Sequence, residues 1–152
     1  MFKKMRRMDK ALSKKETLEL LDKAGVGILG TMSDNGYPYT IALNYVYYQN
    51  KVYFHCAKEG HKINNIKAYE KVSFTVCEDV EIVGQELNTK YKSLILFGKA
   101  KVIKPSHEIL WELIKKYSTI DFEQANKMID KEINDTAIVE ITIDHITGKR
   151  GR

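Results

Sequence analysis

The sequence predicts a mainly β domain: six antiparallel strands closed into a barrel, with helices at the periphery. Three observations lead there. Six β-prone runs are separated mostly by short connections, and the first hairpin carries Asn35-Gly36, two residues that tolerate positive φ. There is no βαβ rhythm and no glycine-rich loop of the Rossmann or Walker type. Closure of a many-stranded hairpin chain removes its exposed edges. A layered α+β sheet is the alternative arrangement.

Each element has its own signal. Residues 13–24 form a helix opened by a Ser13/Glu16 capping box, with Leu12 as staple, Leu18 and Leu21 on its apolar face and Gly25 as its stop. Strands follow over 26–32, Tyr39–Tyr48 and Val52–Cys56, an antiparallel meander. Ile63, Ile66 and Tyr69 switch to helical spacing over 59–69. Val72–Val83 and Lys92–Ile103 are strands, the second with Gly98 inside it, which predicts a bulge or a close backbone approach. Helices over 105–117 and 122–133 precede a last strand, Ile138–Ile143. The whole of 1–152 reads as one domain with a basic N-terminal segment, 1–12, and a C-terminal tail, 147–152.

Charge narrows the function classes. The 25 basic and 20 acidic side chains leave +5, but residues 1–15 carry +6 and 149–152 carry +3, so 16–148 sum to −4. A slightly acidic body with cationic ends argues against a nucleic-acid-binding face on the fold, though tails can still bind phosphate. No apolar run approaches a membrane span and the basic start lacks a signal-peptide core, so a cytoplasmic location is expected. Cys56 and Cys77 form no CxxC pair and are expected as buried, reduced thiols. No metal site is expected, because the histidines lack HExxH spacing, a Cys/His cluster or a carboxylate triad.

Three polar groups could carry chemistry. In His55-Cys56-Ala57-Lys58-Glu59-Gly60-His61-Lys62, a helix start with free N–H groups and a first-turn lysine makes a phosphate cradle; an ordinary solvated loop explains the same residues. Adjacent strand residues face opposite ways, so His55 and Cys56 do not form a nucleophile pair. Tyr91, Ser93, Phe97 and Gly98 make a second group, with Tyr91 and Ser93 on one strand face. Thr147-Gly148-Lys149 makes a third, read as a turn before a basic tail. The tyrosines 37, 39, 45, 47 and 48 suit sheet packing, a flat ligand or a dimer interface.

Taken in order, these pieces resemble the FMN-binding split-barrel flavoproteins related to pyridoxamine 5′-phosphate oxidase, and within them the nitroimidazole-resistance branch. The matching segments are Met5-Arg6-Arg7, Asp34-Asn35-Gly36-Tyr37-Pro38-Tyr39, Leu43-Asn44-Tyr45 and Tyr53-Phe54-His55 leading through Gly60 and Lys62. Tyr91-Lys92-Ser93, Phe97-Gly98-Lys99-Ala100 and Thr147-Gly148-Lys149 complete the set. The resemblance implies a six-stranded split β-barrel working as a homodimer, with FMN at the subunit interface. It implies Ala42, Leu43, Asn44 and Tyr45 against the flavin ring, and Ala57, Gly60, His61 and Lys62 around the phosphate. His55 matches the family histidine near flavin and nitro substrate. Tyr91 and Ser93 match site residues supplied by the partner, and Arg6 and Arg7 a basic pair at the site or interface. Ala42 stands where the family usually has proline, and His61 where arginine is common, exchanging a permanent charge for a titrating one.

The implied activity is electron transfer from NADH or NADPH through FMN to a small acceptor, such as a nitroimidazole or other nitro compound. Pyridoxamine phosphate oxidation itself fits less well, because the extra groups for a substrate phosphate are not found. The alternative is a non-catalytic flavin- or haem-binding protein on the same framework.

Overall fold

The computed structural model describes residues 1–151. It is built on seven strands: β1 (Gly27–Met32), β2 (Pro38–Leu43), β3 (Val46–Tyr48), β4 (Lys51–Ala57), β5 (Lys71–Val83), β6 (Asn88–Ile103) and β7 (Thr136–Gly151). They form one antiparallel sheet in the order β2-β1-β5-β6-β7-β4-β3. Four helices accompany it: α1 (Lys14–Lys23), α2 (His61–Ala68), α3 (His107–Tyr117) and α4 (Phe122–Glu132).

Two features of the expected barrel are therefore corrected. There are seven strands, not six, and the sheet is not closed: among the described residues no ladder joins β2 to β3. Closure was expected as the remedy for exposed edges. The chain blunts its edges differently, by making β3 three residues long and by placing Pro38, which has no N–H to offer, in β2. The two edge strands are nonetheless consecutive in the chain, separated only by Asn44 and Tyr45. Three Cα–Cα steps span at most about 11 Å, so the sheet must coil until its ends lie near one another.

The seventh strand arises because the run expected over Tyr39–Tyr48 breaks at Asn44-Tyr45. The cause is tertiary. The Tyr45 N–H donates to the Tyr117 hydroxyl at 2.9 Å, and the Tyr45 carbonyl accepts from Lys116 Nζ at 3.0 Å. Side chains of α3 thus take the hydrogen bonds that a ladder would have used. The first half of the run pairs with β1 and the second half with β4.

The helical signals behave as expected. Ser13 Oγ accepts from the Glu16 N–H and Glu16 returns a bond to the Ser13 N–H, so the capping box forms. Leu20 and Leu21 of α1 enter the core with Leu29, Phe54, Phe74, Leu96 and Ile141 on the concave face of the sheet. Gly98 sits at a register shift between β6 and β7, and a Cβ there would lie 2.3 Å from the Thr142 carbonyl oxygen. That is the close approach the sequence predicts.

The C-terminal reading is corrected too. Residues 147–151 are not a turn and tail but the end of β7, paired with Tyr91–Ile95 of β6. Gly148 is needed there, since a Cβ would lie 2.3 Å from Thr17 Oγ1.

The convex face has two halves. Over β3, β4 and the first half of β7, α3 and α4 bury Val46, Tyr53, Ile138, Leu110, Leu113 and Ile129 in a second core. Over β2, β1, β5, β6 and the end of β7 the face is largely bare. One cross-strand row there is Ala42–Ile28–Thr75–Ile95–Thr147, and the next is Thr40–Gly30–Ser73–Phe97–His145. Ile28, Met32, Ile95 and Phe97 are each about 40% exposed or a little more. The N-terminal segment covers a corner: Phe2 stacks on His145 and Phe97 at centroid distances of 4.7 and 5.6 Å, and Met1, Lys3 and Met5 line the groove beside Ile95 and Thr147. Cys77, expected as buried, lies exposed beside Ser93, because period-2 alternation places it on the convex side with Ser73 and Thr75.

Candidate functional site

The site residues fall into three groups within one chain. The first surrounds the start of α2. Gly60 is its N-cap, at φ 148°, and offers no side-chain cap to the first-turn N–H groups. Lys62 follows in that turn, half-buried. His61 is held in place: its Nε2 lies 3.1 Å from Ser33 Oγ, and its ring packs on Tyr39 at 4.0 Å between centroids. Beneath them Asn65 donates to Thr31 Oγ1 at 3.0 Å and is buried. Ala57 closes β4 just before this turn.

These residues suit a phosphate. A helix start with uncapped N–H groups carries partial positive charge, and Lys62 adds a full one. A Cβ at Gly60 would meet nothing within 4 Å, so the approach is open. Lys62 is close enough to Cys56 to draw its thiol toward ionisation, but burial is the larger effect and the Cys56 thiol is pushed up. Cys56 is accordingly a thiol rather than a thiolate nucleophile.

The second group lines a cavity of about 310 Å³ between the α3–α4 pair and the sheet. His55 and Asn44 form part of its wall, with Leu113, Tyr117, Met128 and Glu132. His55 is exposed near the end of β4, opposite Ile138 of β7, and has no hydrogen-bond partner among the described residues. Asn44 donates to the Gly25 carbonyl at 3.0 Å, which fixes its amide and leaves its Oδ1 free.

The third group lies on the bare convex face. Ala42 is exposed there, and Ser93 sits between Cys77 and Lys149. Tyr91 is half-buried against Gly151, where a Cβ would lie 2.2 Å from its ring. Ser93 does not meet His55 within one chain. His55 pairs with Ile138 and Ile138 with Ile103, so roughly 30 Å of extended β6 separates Ser93 from that level.

Two expected flavin contacts change character. Leu43 packs inward against the core, and Tyr45 is fully buried with its hydroxyl donating to the Leu21 carbonyl. The Leu43 side chain is spent on packing, so only its backbone can face a ligand, while Tyr45 is buried throughout and its backbone N–H and carbonyl are both taken by α3. Burial also drives the Tyr45 phenol up, and Tyr117, Glu78 and Asp22 add to the effect. Lys116 stands 3.8 Å over the Tyr45 ring centroid, and burial draws its ammonium down to about 8.

Lys116 and Tyr117 are the residues that sequence reasoning missed. Besides accepting from the Tyr45 N–H, the Tyr117 hydroxyl lies 2.9 Å from the Gly25 carbonyl and 2.8 Å from that of Tyr45. It therefore holds the Asn44–Tyr45 link from outside. Their only local signal is a Lys-Tyr pair at a helix end, which resembles any solvated C-terminus. Arg6 is exposed, and Arg7 is engaged with Asp9 at 2.6 Å. Among the described residues no group of His, Cys, Asp or Glu could hold a metal ion, and no helix is long and apolar enough to cross a membrane.

The family profile described as pyridoxamine 5′-phosphate oxidase matches residues 13–150. The chain belongs to that family. Solved structures repeat the fold at low identity. A protein of Bacteroides thetaiotaomicron, put forward as a 5-nitroimidazole antibiotic resistance protein, is 21% identical with a TM-score of 0.75, over 92% of this chain and 86% of that one. A conserved hypothetical protein of Mycobacterium tuberculosis is 17% identical with a TM-score of 0.85, over 98% and 91%. An FAD-binding protein of Mesorhizobium loti is 22% identical with a TM-score of 0.67, over 94% and 98%. A comparison with curated proteins gives no match. At these identities the structures speak for the fold, while the profile speaks for the family.

Proposed function

We propose that this family member is an FMN-dependent oxidoreductase that moves electrons from NADH or NADPH to a small acceptor, a nitroimidazole or another nitro compound being the class to try first. The observation that carries the reading is the uncapped start of α2, with Lys62 beside it, in a chain of this family. Relatives with the same fold include an FAD-binding protein and a protein put forward for nitroimidazole resistance.

Lys62 and the first-turn N–H groups of α2 would hold the phosphate, with Ala57, Gly60 and His61 shaping the approach. Ala42, Asn44 and the backbone of Leu43 would meet the ring, with the buried Tyr45 anchoring the strand behind them. Bound FMN would supply hydride acceptance and onward electron delivery. His55, with an unpartnered imidazole, would orient the acceptor and pass it a proton. The bare convex face supports a homodimer: five strands of small and apolar residues without a partner are an unusual exposure for a monomer. A second copy there would exclude water and bring its Tyr91 and Ser93 toward the site.

Purification with flavin analysis tests the reading. Released FMN that is bleached anaerobically by a nicotinamide supports it. His55→Ala should keep the flavin and lose turnover. Unchanged turnover in that variant would refute the role given to His55.

A further inference from the structure

The β5–β6 hairpin runs past the rest of the sheet. The last rung between β1 and β5 is Ile28↔Thr75, and the last described rung between β6 and β7 is Tyr91↔Gly151. Beyond them Glu81–Val83 and Asn88–Lys90 pair only with each other, after a register shift between Glu78 and Glu81. A two-stranded arm of this kind is marginal in water unless something packs on it. It nevertheless holds Val80, Ile82 and Leu87 outward, at 59%, 79% and 95% exposure. Ile82 pairs with Thr89, which alternates along β6 with Tyr91, Ser93, Ile95 and Phe97, so Ile82 projects on the side of the bare convex face.

The same face carries a hollow. A groove of about 640 Å³ follows the row Thr40–Gly30–Ser73–Phe97, whose first three residues are small. Met32 and Pro38 add apolar wall, and Met1 and Phe2 also line it. Its charged residues are Lys71, Lys99 and Asp144, the last paired with Lys99 at 3.8 Å. The arm, by contrast, carries Asp79, Glu81 and Glu86 and no basic residue from 79 to 89. An apolar acidic knob and an apolar basic hollow on one face of one chain are complementary. They cannot meet within that chain, because eight residues of extended β6, about 26 Å, separate Thr89 from Phe97.

We propose that the β5–β6 arm docks into this groove on a second copy of the chain, with Ile82 against the Gly30–Ser73 row, in a two-fold dimer that covers the convex face. The inference rests on the homodimer proposed above and not on the flavin. The spacing fixes the axis. Ser93 lies midway, four residues from Thr89 and four from Phe97, so the axis crosses the strands at the level of Ser93 and Cys77. Each arm then lies over the other copy's hollow, and the contact is made twice. An axis along the strands sets two acidic arms against each other, which like-charge repulsion opposes.

Cysteine pairs test the arrangement in the full chain, with Cys77→Ser removing the thiol at the axis. Ile82→Cys combined with Ser73→Cys should give a disulfide-linked dimer on oxidation, read on non-reducing gels, and either alone at least tenfold less. Without cysteines, Ile82→Asp should raise the dimer dissociation constant at least tenfold by light scattering, since an apolar contact made twice is lost. Lys90→Ala, on the other face of the arm, should change it less than about twofold. Cross-linking by Ile82→Cys alone means that arm meets arm and overturns the docking, as does equal weakening by Ile82→Asp and Lys90→Ala. A dimer whose double-cysteine variant forms no cross-link overturns the docking and leaves the homodimer standing, whereas a monomeric parent overturns both. Cross-linking of the double variant in a chain that takes no flavin upholds the docking and sinks the flavin reading alone.

Discussion

Replacing Lys62 with methionine isolates the phosphate end of the proposed flavin site. The change keeps the length and apolar stem of a half-buried side chain and removes only its charge. A charge-assisted hydrogen bond contributes about 1.5–3 kcal/mol when well shielded. Partial exposure of Lys62 reduces that to about 1–2 kcal/mol, a five- to thirtyfold weaker FMN complex. The first-turn N–H groups of α2 remain and keep some affinity, because Gly60 still leaves them uncapped. Riboflavin, which lacks the phosphate, should lose less than about twofold by the same arithmetic. Flavin-fluorescence titrations of both ligands, on both proteins, at about 0.15 M salt give the four constants needed. A Lys62→Met chain that loses FMN and riboflavin equally, or neither, would refute the assignment of the phosphate to α2.

Three further outcomes follow from the fold. Gly98→Ala would drive a Cβ to within 2.3 Å of the Thr142 carbonyl oxygen, whereas Gly84→Ala meets nothing within 4 Å. The first should cost about 1–3 kcal/mol or more and the second almost nothing, and similar melting temperatures for the two would contradict the bulge geometry. Lys116 titrates near 8 in the folded chain, below an ordinary lysine, because burial disfavours its charge. The unfolded chain thus binds more protons from about pH 8 upward, and this group's contribution to stability rises with pH, by about 1 kcal/mol after allowing for its exposure. Above about pH 10 the slope should reverse, since burial keeps the Tyr45 and Tyr53 phenols protonated in the folded state only. Denaturant melts across pH 7–10 should therefore show the rise in the parent and a flat profile in Lys116→Met; parallel profiles would rule out Lys116 as the cause. Phe97→Asp, on the bare convex face, should turn a dimer into a monomer with weakened flavin binding, read by light scattering. A parent chain that is already monomeric would remove the proposed interface.

The local elements were legible because their signals are local. A Ser13/Glu16 box, an Asn35-Gly36 reversal and helical spacing at Ile63 and Ile66 need nothing from the rest of the chain. The break at Asn44-Tyr45 was not legible. It depends on Lys116 and Tyr117, residues distant in sequence, which take over the Tyr45 backbone hydrogen bonds. Read without them, Tyr39–Tyr48 is one strand and closure is the natural remedy for its edges. The end of β7 was hidden for a related reason. Thr147-Gly148-Lys149-Arg150 has the composition of a turn and tail, and becomes strand because Tyr91–Ile95 lies alongside. Of the candidate site, the α2 cradle and the exposed His55 could be seen as residue patterns. That Leu43 and Tyr45 point inward, and that Ser93 lies far along β6 from His55, required the sheet order and register.

The proposed function requires that this chain carry a flavin that a nicotinamide can reduce. Anaerobic titration of the purified, FMN-loaded protein with NADH and then NADPH tests it directly, followed as loss of flavin absorbance. Stoichiometric FMN and bleaching by at least one of the two donors are expected. A protein that takes up no FMN, or whose flavin stays oxidised under both, would contradict it.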